Sequence, residues 1–270
     1  MKFFKNGGLM LMEMSSSKTL MTEGSIWKKI TYFAFPIFLG NLFQQMYNTA
    51  DSLIVGNFLG SNALAAVSSS SNLIFLMIGF FNGIAMGAGV VIARYYGARQ
   101  KEKVEKAVHT TVAFGLVASV VLTIVGVTLA PQILVWMDTP ANVMKESVTY
   151  FQIYFMGSFG FVMYNVFVGI LQSVGDSKHP LYYLIISSVI NVILDIVFIT
   201  VFHMGVGSAA LATAISQFIS AGLCMIQLMR TKAEYRLVWR KVRFHVEMLG
   251  QIIKIGLPSG IQNSIIARCV

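Results

Sequence analysis

The chain has 270 residues, of which 56% are hydrophobic and only 11% charged, and its mean hydropathy is +0.71. These values exclude a soluble globular protein and place the chain in the membrane class. A formal net charge of +9 raises the question of a nucleic-acid partner, and the placement of the basic residues answers it differently.

In chain order, residues 1–29 carry Lys2, Lys5, Lys18, Lys28 and Lys29. The apolar patch "LMLM" is shorter than the roughly 7 to 15 residues of a signal core, and no small-residue cleavage site follows, so this stretch reads as a flexible cytoplasmic tail. Apolar blocks then cover about 30–58, 65–93, 107–130, 148–173, 181–202 and 208–229. Each has the ~20 residues that cross about 30 Å of hydrocarbon. Residues 230–247 form a basic loop, and 248–270 begin a seventh span in which the chain stops. The expected fold is an all-α membrane protein, a six-helix transmembrane lobe plus the start of a seventh helix.

Lys and Arg alternate by loop. Seventeen of the 20 lie before span one or after spans two, four and six, including Arg94 to Lys106, Lys178 and Arg230 to Arg243, while the opposite loops hold only Lys145. By the positive-inside rule the N-terminus is cytoplasmic in a cell membrane, and topology accounts for the charge without nucleic acid. Among the loops, "PQILVWMDTPANVMKES" reads as a surface-lying segment bounded by Pro131 and Pro140. "QSVGDSKHP" reads as a tight turn at Gly175-Asp176 with a helix restart near Pro180. The stretch "RTKAEYRLVWRKVRF" fits either an amphipathic surface helix or a solvated connector.

Polar residues inside the spans are the informative exceptions. Gln44, Asn48 and Asp51 in span one are spaced 0, 4 and 7, within about 60° of one another on a helix, so they form one stripe. Span five repeats this with Ser188, Asn191 and Asp195, and span six offers Thr213, Gln217 and Ser220. An ionised aspartate facing lipid costs on the order of 2.5 to 3.5 kcal/mol, so these stripes face inward. Asp51 and Asp195 each lie about two-thirds along an outward-running span, with Thr213 in the same slab. Two carboxylates, an amide and a hydroxyl at one level supply hard oxygen ligands for a small cation, or a carboxyl pair that holds and releases protons. The plainer role, hydrogen-bonding glue between helices, suits Ser188, Ser220 and Gln44 individually.

Other constellations carry less. Gly79, Gly83, Gly87 and Gly89 are spaced for close helix packing. Cys224 and Cys269 fall in spans as small apolar side chains, and His109, His179, His203 and His245 are scattered over loops and span ends without a metal-site or enzyme motif. No cofactor is expected. An offset of 222 residues aligns Ile30, Pro36 and Asn41 with Ile252, Pro258 and Asn263, as if span seven began a second copy of the six-span unit.

The stretches "FPIFLGNLFQQMYNTADSLIVGNFLGSNALAAVS", "GARQKEKVEKA", "GILQSVGDSKHPL", "SSVINVILDIVFI" and "GVGSAALATAISQ" together resemble the N-terminal lobe of the MATE (multidrug and toxin extrusion) transporters. The resemblance runs from about Thr22 to the end. It implies half of a twelve-helix fold of two lobes around a cavity, with a second lobe as partner. It further implies export of drug-like, often cationic compounds against H⁺ or Na⁺. The family's cation-site positions fall on Asp51, Asn191, Asp195 and Thr213, and Gln44, Asn48, Ser188 and Gln217 are expected to line the cavity. Two other functions compete: a lipid-linked saccharide flippase of the same superfamily, for which Arg94 is the nearest cationic candidate, and a non-transporting half-lobe acting as a membrane scaffold or remnant.

Overall fold

The structure, a computed structural model, describes residues 26–269; most of the expected tail lies outside the described residues. Eight α-helices are described: α1 (Ile26–Leu59), α2 (Ser61–Gly97), α3 (Lys101–Trp136), α4 (Met144–Met156), α5 (Ser158–Ser173), α6 (Lys178–Thr200), α7 (Gly207–Arg230) and α8 (Val246–Cys269). α1 begins before the apolar boundary at Ile30 and takes in Lys28 and Lys29. The 24 residues of α8, at about 1.5 Å each, already exceed the hydrocarbon thickness. Among the described residues α3, α6, α7 and the bent pair α4–α5 are long and apolar enough to cross a membrane.

Buried apolar side chains gather in two clusters at opposite ends of the bundle. One joins Ile92, Val104, Ile170, Leu228, Leu237 and Met248, and the other joins Val55, Ala66, Leu134, Phe151 and Ala210. Each cluster takes residues from the end of one span and the start of the next, which is the signature of helices running alternately up and down. The basic loops after α2, α5 and α7 consequently share one end of the molecule.

Two expectations are corrected. Pro131 does not end its helix, because α3 continues through it to Trp136. A proline at that point deprives the Val127 carbonyl of its intrahelical donor. Gln152 of α4 replaces it, donating Nε2–H to that oxygen at 3.3 Å, as buried neighbours do for broken membrane helices. Span four, expected as one helix, is bent by 45° between α4 and α5. At the bend a Cβ on Gly157 would fall 2.3 Å from the Ala214 methyl of α7. Only glycine allows that approach, and Ser158 beside it shares a 2.9 Å hydrogen bond with Thr123 of α3.

The stretch after α7 is not an amphipathic helix. It is an extended strap with one short 3₁₀ turn, Trp239–Lys241. Leu237 is buried and its N–H bonds to Leu228 O at 3.0 Å, while the Val238 N–H bonds to His109 Nε2 at 3.1 Å. Anchoring successive residues to two different helices requires extended backbone, and Val238 has φ −124° and ψ 108°. The anticipated turn at Gly175-Asp176 is present, with Gly175 at φ 88° and Asp176 Oδ1 accepting the His179 N–H at 3.2 Å in the first turn of α6.

Two glycines of span two, Gly83 and Gly87, meet α8. A Cβ on Gly83 would lie 2.2 Å from Gly260 Cα, and one on Gly87 would lie 2.3 Å from Gly256 Cα. Their backbones therefore touch, a separation closed to any larger residue.

Candidate functional site

α6 explains itself by period. Leu184, Ser187, Ser188, Asn191, Asp195 and Ile199 are buried, while Ile186, Val189, Ile193 and Ile196 are exposed on the opposite, lipid-compatible face. Asn191 and Asp195 are thereby carried into the bundle, only 1% and 0% exposed. α1 packs along α6, with Gly40 against Leu184 and Leu181. This brings Asp51 opposite, between Tyr47 of one cluster and Val55 of the other.

Thr213 of α7 links the two helices. Its Oγ1 donates to Asp51 Oδ2 at 3.2 Å and accepts from Asn191 Nδ2 at 3.4 Å. The Asp195 carboxyl faces that of Asp51. Asp51 Oδ1, Asn191 Oδ1 and both oxygens of Asp195 are buried without a hydrogen-bond donor. Four buried acceptor oxygens, three of them on the two facing acids, converge beside the Thr213 hydroxyl and the Asn191 amide, whose hydrogen bonds leave all four without a donor. Buried like charges at that range do not both persist unless something positive lies between them.

The structure thus brings Asp51, Asn191, Asp195 and Thr213 together. Gln217 joins one turn away, buried, donating Nε2–H to Tyr47 Oη at 3.5 Å with its own Oε1 lacking a donor. Gln44 stands beside Tyr47 on the same network. Ser188 and Asn48 do not join. Ser188 donates to Leu184 O at 2.8 Å in its own helix, and Asn48 bonds Gln45 Oε1 at 3.4 Å along α1. Ser220 likewise bonds Ser216 O at 2.9 Å.

Sequence reasoning missed the tyrosines. Tyr150 of α4 is buried within electrostatic reach of both acids, and Tyr154, stacked on it at 6.3 Å, is near Asp51. The available signal was weak: two tyrosines four apart in the outer half of span four, level with the acids.

The geometry defines an all-helical, multi-span membrane protein built around a buried acidic pair. A family model described as MatE matches residues 36–197, and the chain belongs to that family. It is 32% identical over 264 residues to "Probable multidrug resistance protein YoeA" of Bacillus subtilis, covering 94% of this chain and 57% of that one. It is 24% identical to "Multidrug export protein MepA" of Staphylococcus saprophyticus, covering 88% and 52%. A crystal structure of a MATE protein in the bent conformation superposes with TM-score 0.82 at 28% identity, covering 88% of this chain and 53% of that one. The chain spans about half the length of the relatives it matches.

Proposed function

We propose that this chain forms the N-terminal lobe of a cation-coupled exporter of drug-like, often cationic compounds, with Asp51, Asn191, Asp195 and Thr213 holding the coupling H⁺ or Na⁺. The observation that carries it is the convergence of donor-less oxygens from Asp51, Asn191 and Asp195 around the Thr213 hydroxyl. A proton shared by the carboxyls, or a Na⁺ taken by the same oxygens, relieves their repulsion. The names of the relatives, multidrug resistance and multidrug export proteins, support the substrate class.

A second lobe is part of the proposal. α1 leaves Asn41 and Gln45 exposed, a polar strip that a purely lipid-facing helix does not keep. Opposite a second lobe, that strip lines a cavity. The gathering of the basic loops at one end supports an N-terminus on the cytoplasmic side of the cell membrane. Coupling follows because ion occupancy of the acidic pair favours one arrangement of the lobes over another.

The test is dye efflux. Efflux-deficient cells carrying a two-lobed protein that contains this chain are expected to accumulate less ethidium than control cells. The difference should vanish when the H⁺ and Na⁺ gradients are both dissipated. Efflux that persists without either gradient contradicts the reading.

A further inference from the structure

The strap of residues 231–245 is fixed to the basic end of α3 by a set of contacts in which two histidines hold defined tautomers. His109 is 1% exposed. Its Nδ1 lies 2.7 Å from Glu105 O, a carbonyl that only accepts, so Nδ1 carries the proton. Its Nε2 receives the Val238 N–H at 3.1 Å and must offer a lone pair. His245 repeats the logic. Its Nε2 accepts from Arg243 Nε at 3.2 Å, which leaves Nδ1 to donate to Thr110 Oγ1 at 3.1 Å. The same hydroxyl accepts the His245 N–H at 3.2 Å. Both rings are therefore neutral, and a second proton on either Nε2 places an N–H against an N–H.

We propose that the strap is a pH-released latch on α3, closed while His109 and His245 are neutral and opened when they take up protons. The charged groups around the pair are Glu105 and Lys106 on α3 with Lys241 and Arg243 on the strap, and Lys241 is paired to Glu105. α7 and α8 contribute apolar Leu228, Met248 and Ile252, and Glu247 at the start of α8 is exposed. Two further clasps, Lys101 to Glu234 at 3.0 Å and Tyr96 edge-on to Tyr235, contain no imidazole. Partial burial, then Arg243, Lys106 and His109, hold His245 below the usual histidine range.

The sign follows. His245, held below the usual histidine range in the closed strap, binds more protons when the strap opens, so the latch is stable above the imidazole range and weakens as pH falls through it. The strap alone connects the six-span lobe to α8 in the chain, so its release frees the start of α8 while the glycine contact with α2 still holds the middle of that helix. Falling cytoplasmic pH would thus alter how firmly the entry to α8 is set.

The experiment is amide hydrogen exchange across residues 231–245 of the whole chain in lipid nanodiscs, at about pH 7.5 and about pH 5.5, corrected for intrinsic rates. Losing the imidazole-held bonds should cut protection at Val238 by about tenfold at the lower pH. In the double variant His109→Gln with His245→Gln, where an amide oxygen accepts without titrating, protection should be independent of pH. A wild-type strap equally protected at both pH values, or a loss that the double variant shares, overturns the proposal. Nitrogen-15 NMR of histidine-labelled wild-type chain gives a reading that does not rest on any variant folding. It should find His109 and His245 neutral with the proton on Nδ1 near pH 7.5, and either ring charged or protonated on Nε2 alone there overturns it as well.

Discussion

Cells carrying Asp51→Asn in the two-lobed protein are expected to lose gradient-dependent ethidium efflux completely, down to the level of cells without the transporter, while the protein remains in the membrane at near-normal abundance. Asparagine keeps the size of the side chain, and its carbonyl oxygen still accepts the Thr213 hydroxyl that now lies 3.2 Å from Asp51 Oδ2. The replacement also removes one of two facing buried acids, so folding is spared or helped. What disappears is the capacity to bind H⁺, together with most of the attraction for Na⁺. Without an ion-dependent preference between conformations there is no coupling. Efflux that stays normal and still collapses with the gradients would show that Asp51 does not couple, and would move the role to Asp195.

Gly87→Leu, and more strongly Gly83→Leu with Gly87→Leu, should force α8 away from α2. A Cβ at these positions meets backbone atoms of Gly260 and Gly256 at 2.2 to 2.4 Å, and backbone cannot swing aside as a flexible side-chain tip can. Strain at or beyond the upper end of the roughly 1 to 3 kcal/mol usual for overpacking is relieved only by separating the helices towards the ordinary 8 to 10 Å spacing. Spin labels on exposed Ala93 and Lys254, after replacement of Cys224 and Cys269 by alanine, should report a longer distance by pulsed electron resonance. Gly222→Ala is the control, because its added methyl has nothing within 4 Å and should leave the distance unchanged. An unaltered distance in the leucine variants would show that α8 does not rest on these glycines.

How much of this was readable beforehand depended on whether a residue's chemistry contradicted its surroundings. Asp51, Asn191 and Asp195 stood out because charge and amide do not belong in a lipid-facing helix, and helical period alone put them on inward stripes that the structure brings together. The span order was readable because apolar length and basic loops are both set by the bilayer. Tyr150 and Tyr154 were not readable as neighbours of the acids, since an aromatic side chain in an apolar helix looks the same whether it packs in a core or borders a polar centre. The bend at Gly157 depends on Ala214 of another helix, and the continuation of α3 through Pro131 depends on Gln152 of another, so local propensity could not foretell either. The strap was ambiguous for the same reason: its conformation is set by Leu228 on the neighbouring helix α7 and by His109, 129 residues away in the chain. The 222-residue repeat placed Pro36 and Pro258 in the interiors of α1 and α8, although the first is buried and the second exposed.

Coupling in this proposal requires Asp51 and Asp195 to hold one exchangeable cation between them, and infrared difference spectroscopy of the bilayer-embedded chain reads the carboxyls directly. Acidification or addition of Na⁺ should produce a carboxyl signal from the pair, and Asp51→Asn or Asp195→Asn should each remove its own band and also shift the band of the acid that remains, because two acids sharing an ion titrate as a pair. If each variant removes only its own independent part, or if the signal survives both, the two acids do not share an ion and the proposed coupling site is wrong.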